Sequence, residues 1–170
     1  MNQLNQLNQY NKKFFLGTDV GSSWTKVVVI DESQTLQGYA AGRSGTDFAA
    51  AAERYRQQAL AMANISAEKA ARSVSTGYGR KNVAYADDHR TEISCHARGC
   101  FYYYPRALTI IDIGGQDNKI IKIDDRGRRL GFKMNRKCAA GTGAFLEEMA
   151  ARLDLPLKEM NALAQNSEDM

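Results

Sequence analysis

Carboxylates and glycines occur together in a short polar stretch between two apolar runs. The stretch is Asp-Ile-Gly-Gly-Gln-Asp, from Asp112 to Asp117, with Ile110-Ile111 before it and Ile120-Ile121 after it. Glycine lets backbone N–H groups come close to an anion, and carboxylates can hold a metal ion directly or through water. The pattern favours a phosphate-binding turn with a metal ion between two strands, and an ordinary hairpin with a polar tip is the alternative.

The same pattern occurs 93 positions earlier in the chain. The matched pairs are Asp112 and Asp19, Gly114 and Gly21, Lys119 and Lys26, Asp124 and Asp31, Gly131 and Gly38, and Phe132 and Tyr39. The apolar residues of the strand that follows each turn match as well. A repeat of this length indicates a duplicated unit. We therefore expect two similar lobes whose turns face each other and hold a phosphate chain from both sides.

Roles can be assigned to the polar residues of both turns. Asp19 and Asp112 end apolar strands, where a carboxylate is costly unless it meets a partner, and we expect them to hold Mg²⁺ through water. Asp19 is also predicted to be catalytic, and Gln116 or Asp117 is predicted to orient the attacking water. The predicted ATP- and phosphate-binding residues are Gly21, Ser22, Ser23, Lys26, Asp112, Gly114, Gly115, Gly141, Thr142 and Gly143.

Three further charged side chains have two interpretations each. Lys26 and its counterpart Lys119 are either phosphate contacts or solvated strand lysines. Glu92 is a weaker candidate for a general base, and a solvated helix position is the favoured alternative. Arg80, in the loop Gly77-Tyr78-Gly79-Arg80, either reaches an anion or belongs to a plain surface turn.

Cys138 lies just before Gly141-Thr142-Gly143, which begins a predicted helix. A helix N-terminus and the preceding Arg136 and Lys137 both favour the thiolate, the form that ligates iron. One cysteine cannot hold a cluster that needs four ligands, so further ligands would be required. Cys95 and Cys100 are five positions apart on a predicted helix and diverge by about 140°, which indicates helix-face cysteines. No GxxxxGK[ST] pattern occurs, so the chain has no P-loop.

Strands and helices must position these residues. Alternating and continuous apolar runs predict strands over 12–20, 24–31, 35–41, 72–76 and 108–113, with a second hairpin after the last of them. Helices are predicted over 48–64 with Asp47 as cap, over 91–103 with Thr91 or Ser94 as cap, and over 144–153 and 156–164. We expect an α/β fold with a disordered leader at 1–12, a first lobe at 13–105 and a truncated second lobe at 106–170.

Length and composition limit the class of protein. The chain has 170 residues, a net charge of +4 and three cysteines. Its lysines and arginines are scattered, so nucleic-acid binding is not expected, and no apolar run is long enough for a membrane span. Without a signal-peptide pattern, a cytoplasmic location is expected, with thiols or metal ligands in preference to disulfides. A second copy of full length would extend to about residue 198, so we expect a fragment, a truncated product or one half of a split protein.

Five motifs in order resemble the BadF/BadG/BcrA/BcrD ATPase family. They are GTDVGS from Gly17, STGYGR from Ser75, EISCHA from Glu92, DIGGQD from Asp112 and MNRKCAAGTG from Met134. The family includes activators of 2-hydroxyacyl-CoA dehydratases and ATPase subunits of benzoyl-CoA reductase. It is part of the acetate kinase, sugar kinase, Hsp70 and actin superfamily. The resemblance covers about residues 14 to 165.

The resemblance implies a duplicated ribonuclease-H-like fold that binds ATP between its lobes. It also implies a homodimer with one [4Fe-4S] cluster at its interface, to which each subunit gives two cysteines, and Cys138 matches one of them. ATP hydrolysis would then let the cluster pass a low-potential electron, received from a donor such as ferredoxin, to a CoA-thioester dehydratase or reductase. The family's second cluster cysteine and its adenosine-binding Gly-Gly motif fall in later segments that this sequence does not reach.

Two other functions stay open at this point. A small-molecule kinase of the same superfamily would need an acceptor site and no cluster, and Cys138 argues against it. A truncated remnant without activity would bind nucleotide weakly, or would only pair with a chain that supplies the missing half.

Overall fold

The computed structural model describes residues 12–114, 117–135 and 142–166, and within them two β-sheets and four α-helices. The first sheet has the order β3-β2-β1-β4-β5, and the second has the order β6-β7-β8. The strands are β1 Phe14–Val20, β2 Trp24–Asp31, β3 Leu36–Arg43, β4 Ala70–Thr76, β5 Asp88–His89, β6 Leu108–Ile113, β7 Asn118–Ile123 and β8 Arg129–Asn135. The helices are α1 Phe48–Ala63, α2 Glu92–Tyr103, α3 Thr142–Arg152 and α4 Leu157–Gln165, with short 3₁₀ turns at Ala67–Lys69 and Arg80–Asn82.

Alternation of apolar side chains explains why the first sheet packs under α1. Val27 and Val29 of β2 are fully buried, and they contact Ala51, Tyr55 and Ala59 of the helix. The helix begins where the Asp47 carboxylate accepts a hydrogen bond from the backbone N–H of Ala50, as predicted. Burial of this face leaves the polar ends of β1 and β2 at one edge of the sheet.

The backbone pairing reproduces the repeat. In the first hairpin Asp19 pairs with Lys26, and in the second Asp112 pairs with Lys119. The ladder to the third strand shifts by one residue at the matching place in each copy, after Val29 in the first sheet and after Lys122 in the second. Both hairpins are therefore built on one backbone pattern.

The aspartate at the end of the second strand also behaves alike in both copies. Asp31 and Asp124 each accept hydrogen bonds from the backbone N–H groups two and four residues later, at 2.8–3.0 Å. A hydrogen bond from Lys12, helped by these N–H groups, holds the pKa of Asp31 below its ordinary value. The carboxylate closes the turn into the third strand in each copy.

Helix α2 packs against the second sheet. Ala97 contacts the buried Ile121 and Ile123, and Ile93 and Phe101 cover the same cluster. The predicted lobe boundary after residue 105 would place this helix with the first lobe, and that division remains a prediction. The packing brings the first turn of α2 to the end of β6, beside the second polar turn.

Some predicted elements differ from the structure. Thr91 caps α2, because its hydroxyl accepts the Ser94 N–H, so Ser94 was wrong as a cap and lies inside the helix. Strands β5 and β8 were not predicted. β5 has only two residues, and every residue of β8 is exposed. In the described part of the chain, no helix combines the length and the apolar character that crossing a membrane requires.

Two glycines at matching repeat positions have different surroundings, which gives a prediction. A Cβ on Gly38 would lie 2.4 Å from the Ala59 carbonyl oxygen of α1, whereas a Cβ on Gly131 would meet nothing within 4 Å. We expect Gly38→Ala to lower the free energy of unfolding by about 1–3 kcal/mol, because the helix must move away from the sheet. Urea unfolding should show almost no loss for the matched control Gly131→Ala, and equal losses would contradict close packing at Gly38.

Candidate functional site

The two polar turns line one cavity of about 310 Å³. Asp19 and Asp112 are both on its wall, so the expectation that the two turns face each other agrees with the structure. Its lining comprises Asp19, Gly21, Ser22, Ser23, Trp24, Lys26, Tyr78, Glu92, His96, Asp112, Ile113, Gly114, Asp117 and Lys119.

Eight of the predicted site residues meet in this cavity. They are Asp19, Gly21, Ser22, Ser23, Lys26, Asp112, Gly114 and Asp117. Thr142 and Gly143 are the first two residues of α3. Gly115, Gln116, Cys138 and Gly141 lie outside the described residues. The roles assigned to all of these residues remain predictions.

The first turn is closed by its own backbone. The N–H of Gly21 donates to the carbonyl oxygen of Trp24 at 2.9 Å, and a Cβ on Gly21 would lie 2.8 Å from that oxygen. The buried Ser44 holds the turn from outside, because its hydroxyl donates to the Gly21 carbonyl oxygen at 2.7 Å. Glycine is therefore needed for closure of the turn.

The second turn repeats this closure. The N–H of Gly114 donates to the carbonyl oxygen of Asp117 at 2.9 Å. The N–H groups of Gly21 and Gly114 are therefore engaged inside their own turns. Ligand contacts must come from other groups of the turns, such as the Ser22 and Ser23 backbone and hydroxyls.

Lys119 is the centre of an ionic cluster on the second turn. Its ammonium contacts Asp117, lies 2.8 Å from Glu92 Oε2 and lies 3.4 Å from Asp112 Oδ2. The side chain is 5% exposed, and burial alone would lower its pKa, but the hydrogen bonds to Asp117 and Glu92 outweigh burial and raise the pKa of Lys119. The ammonium is therefore charged throughout the physiological range. The interpretation of Lys119 as a solvated strand lysine was wrong.

Glu92 is not a solvated helix position either. It is the first residue of α2, its carboxylate pairs with the buried Lys119, and it lines the cavity. Its place in the site could not be read from the helix alone, because the partner is on another element. Glu92 therefore stands beside Asp117 as a group that can hold a water molecule in the cavity.

Lys26 is placed differently from its counterpart. Its ammonium lies 2.9 Å from Asp19 Oδ2, and half of its side chain is exposed to the cavity side of the sheet. The ammonium lies close to the first turn, since a Cβ on Gly21 would be 3.9 Å from it. Lys26 can therefore contact an anion in the cavity.

The donor set of the cavity fits a hydrated magnesium ion. Of the described lining residues, Asp19, Glu92, Asp112 and Asp117 carry carboxylates, against the ammonium groups of two lysines. This excess of carboxylate oxygens suits a hard cation, and a cation is also needed before a phosphate chain can enter. Within the described ranges, no three acidic, histidine or cysteine side chains are grouped so that they could hold a metal ion directly.

Trp24, Tyr78 and His96 line the cavity and were not predicted from sequence. Tyr78 is in the Gly77–Gly79 loop and contacts Phe48 edge to face at 6.0 Å. His96 Nε2 is 3.6 Å from Asp112 Oδ2. Gly77 and Gly79, on either side of Tyr78, were the sequence signal that this residue is in a loop. Arg80, in the same loop, donates to the Gly77 carbonyl oxygen at 2.9 Å and thereby stabilises the loop.

A more apolar groove of about 380 Å³ continues from the cavity along α2. Asp19 and Thr76 line one side, and residues of α2, including Cys95 and Cys100, line the other. Both cysteines are free thiols and half-buried. The groove separates the first sheet from the helix that packs on the second sheet.

The chain is similar to known proteins of one ATPase family. The sequence matches the profile of the BadF/BadG/BcrA/BcrD ATPase family over residues 16–169. It is 42% identical to the activator of lactoyl-CoA dehydratase from Anaerotignum propionicum, over 92% of this chain and 60% of that protein. It is 37% identical to the (R)-2-hydroxyglutaryl-CoA dehydratase activating ATPase from Acidaminococcus fermentans, over 91% of this chain and 59% of that protein.

A solved structure of a related activator has the same fold. The activator of the 2-hydroxyisocaproyl-CoA dehydratase from Clostridium difficile, with bound ADPNP, superposes with a TM-score of 0.75 at 37% identity, over 92% of this chain and 58% of that one. The predicted α/β fold of the actin and Hsp70 superfamily is thereby confirmed. The chain spans about three fifths of the length of these relatives.

Proposed function

Because the chain belongs to the BadF/BadG/BcrA/BcrD ATPase family, we propose that it binds and hydrolyses MgATP as part of an activator of a CoA-thioester dehydratase or reductase. One observation carries the proposal: two glycine turns, each beginning at an aspartate that ends a strand, line a single cavity. Similarity to named dehydratase activators, one of them crystallised with an ATP analogue, supports the same function.

The cavity residues have separate roles in the hydrolysis of ATP. Ser22 and Ser23 donate hydrogen bonds to the phosphate chain from one side, and Lys26 gives a positive charge beside them. Asp19 and Asp112 would hold a Mg²⁺ ion through water, and the ion would neutralise charge on the phosphate chain. The protein thus fixes the phosphate chain between the two turns.

Hydrolysis requires a water molecule in line with the leaving oxygen. The water attacks the γ-phosphorus. The bond between that phosphorus and the bridging oxygen breaks, and ADP leaves with the bonding electron pair. Gln116 or Asp117 orients this water, and the carboxylate of Asp117 or Glu92 accepts its proton. ADP and inorganic phosphate are the products, and no further reactant is needed.

The electron-transfer part of the proposal rests on family membership. Cys138 would be one ligand of a [4Fe-4S] cluster that bridges a homodimer, and the cluster would supply low-potential electron transfer to the dehydratase or reductase partner, with a donor such as ferredoxin as the electron source. Arg136 and Lys137 beside Cys138 favour the thiolate that iron requires. The protein acts in the cytoplasm.

One experiment separates this function from its alternatives. Trp24 is the chain's single tryptophan and lines the cavity, so titration with Mg-ADPNP should change its fluorescence in a saturable way. Slow release of phosphate from MgATP is expected as well. Where the further cluster ligands are supplied, anaerobic purification should give about two iron atoms per chain, since two chains would share a four-iron cluster. Cys138→Ser should remove the iron, whereas Cys100→Ser should keep it.

Each other outcome contradicts part of the proposal. Hydrolysis with no iron would favour a small-molecule kinase over an electron-transferring activator. An unchanged Trp24 signal with no hydrolysis would contradict the ATPase itself and favour an inactive remnant. Trp24→Phe, titrated in parallel, controls for changes that come from the tyrosines.

A further inference from the structure

The repeat places two lysines at matching positions, yet their surroundings are opposite. Each lysine is directly across the ladder from the aspartate that ends the preceding strand. Lys26 pairs with Asp19 and has a half-exposed side chain, whereas Lys119 is 5% exposed. Identical backbone positions should give identical roles, so the difference must come from what surrounds each side chain.

Two acidic groups around Lys119 have no counterpart around Lys26. Asp117 occupies the repeat position of Trp24, which carries no charge. Glu92 comes from α2, and its Oε2 lies 2.8 Å from the Lys119 ammonium. The ammonium of Lys119 is therefore shared among three carboxylates, and its donors are directed at them.

The contact with Glu92 joins two elements. Glu92 begins α2, and Lys119 is the second residue of the strand that leaves the second turn. The same helix packs below on Ile121 and Ile123, so the ion pair fixes the end of an already packed helix to the turn. Breaking a buried pair leaves carboxylates near one another without a cation, which is strongly unfavourable.

We propose that Lys119 is a positioning residue, which fastens α2 to the second turn and holds Asp112, Asp117 and Glu92 in place, while Lys26 is the lysine that contacts the ligand's phosphates. The first half of the proposal, the role of Lys119, is argued from contacts within the chain. The second half rests on the proposed function, because it requires a phosphate chain in the cavity.

Lysine chemistry tests the first half without any ligand. Reductive methylation of the folded protein, read by mass spectrometry, should modify Lys26 as fast as the exposed Lys122 and Lys133 and should leave Lys119 unmodified. Glu92→Ala should raise the methylation rate of Lys119 by roughly tenfold or more, because one anchor of the ammonium is lost. Rapid methylation of Lys119 in the unliganded protein would overturn the assignment.

A phosphate probe tests the second half. Magnesium tripolyphosphate should protect Lys26 from methylation and leave the low rate at Lys119 unchanged. Lys26→Met should weaken tripolyphosphate binding by roughly 10- to 100-fold, the usual effect of losing a hydrogen bond from a charged group. Protection of Lys122 and Lys133 to the same degree as Lys26 would show non-specific binding and overturn this half.

Kinetics distinguishes positioning from general support of the fold. Lys119→Met should lower kcat for MgATP by roughly tenfold or more with KM within about threefold, since the carboxylates move while the phosphate contacts remain. Lys26→Met should mainly raise KM. A rise in KM for both variants would overturn the division of roles. If the protein neither binds tripolyphosphate nor hydrolyses ATP, the proposed function fails, whereas the methylation rate of Lys119 still decides its own role.

Discussion

Replacing Asp19 by asparagine is expected to lower magnesium-dependent ATP hydrolysis by roughly 10²- to 10³-fold. Asp19 is the penultimate residue of β1 and lines the cavity together with the second turn. Asparagine keeps the size of the side chain but loses the charge that is proposed to hold the Mg²⁺ ion, and a preorganised contact of this kind contributes about 3–4 kcal/mol to the transition state. Steady-state phosphate release over a range of Mg²⁺ concentrations measures the effect.

The fold should tolerate this change. Asp19 makes a partly exposed pair with Lys26, and such pairs contribute at most about 1 kcal/mol to stability. Asp125→Asn is the matched control, because Asp125 is exposed in the loop after β7. A wild-type rate for Asp19→Asn at saturating Mg²⁺ would rule out the metal role of this residue.

Replacing Gly77 by alanine is expected to have the largest effect on stability, about 3–5 kcal/mol of the free energy of unfolding. Gly77 has φ of +91°, which strains any other residue, and its Cβ would lie 2.4 Å from the Val20 carbonyl oxygen and 2.5 Å from Asp19 Oδ1. Backbone strain and overpacking therefore add. Because Asp19 must move, binding of Mg-ADPNP should weaken as well.

A substitution at Gly45 separates backbone strain from overpacking. Its φ is +65°, but a Cβ there would meet nothing within 4 Å. Gly45→Ala should therefore show the strain alone, about 1–2 kcal/mol in urea unfolding, with unchanged nucleotide binding. Equal destabilisation of both variants would mean that the contact between Gly77 and the end of β1 is unimportant.

The hairpins and the cavity could be predicted because local pattern determines them. Alternation of apolar residues defines the faces of β1, β2 and β6, and the repeat then places Asp19 and Asp112 at equivalent strand ends. The prediction that the two turns face each other was based on the duplication alone. These features need no knowledge of how distant elements pack.

The features that escaped prediction depend on contacts between distant elements. Glu92 was interpreted as a solvated helix position, and Lys119 as either a phosphate contact or a solvated lysine. The ion pair between them was missed because they are on different elements, which only the packing of α2 on the second sheet joins. Gly77 was predicted in a loop, but the carbonyl of Val20 that occupies its Cβ position comes from another strand. Trp24 and His96 were not predicted as cavity residues for the same reason.

The shifted step in the ladder has a consequence for the history of the molecule. Gln37 is the extra residue in β3, and Leu130, at the matching position, is the extra residue in β8. An added residue reverses which side chains point inward, so it is hard to acquire twice at equivalent places. Duplication of a single unit that already carried the added residue would account for both shifts.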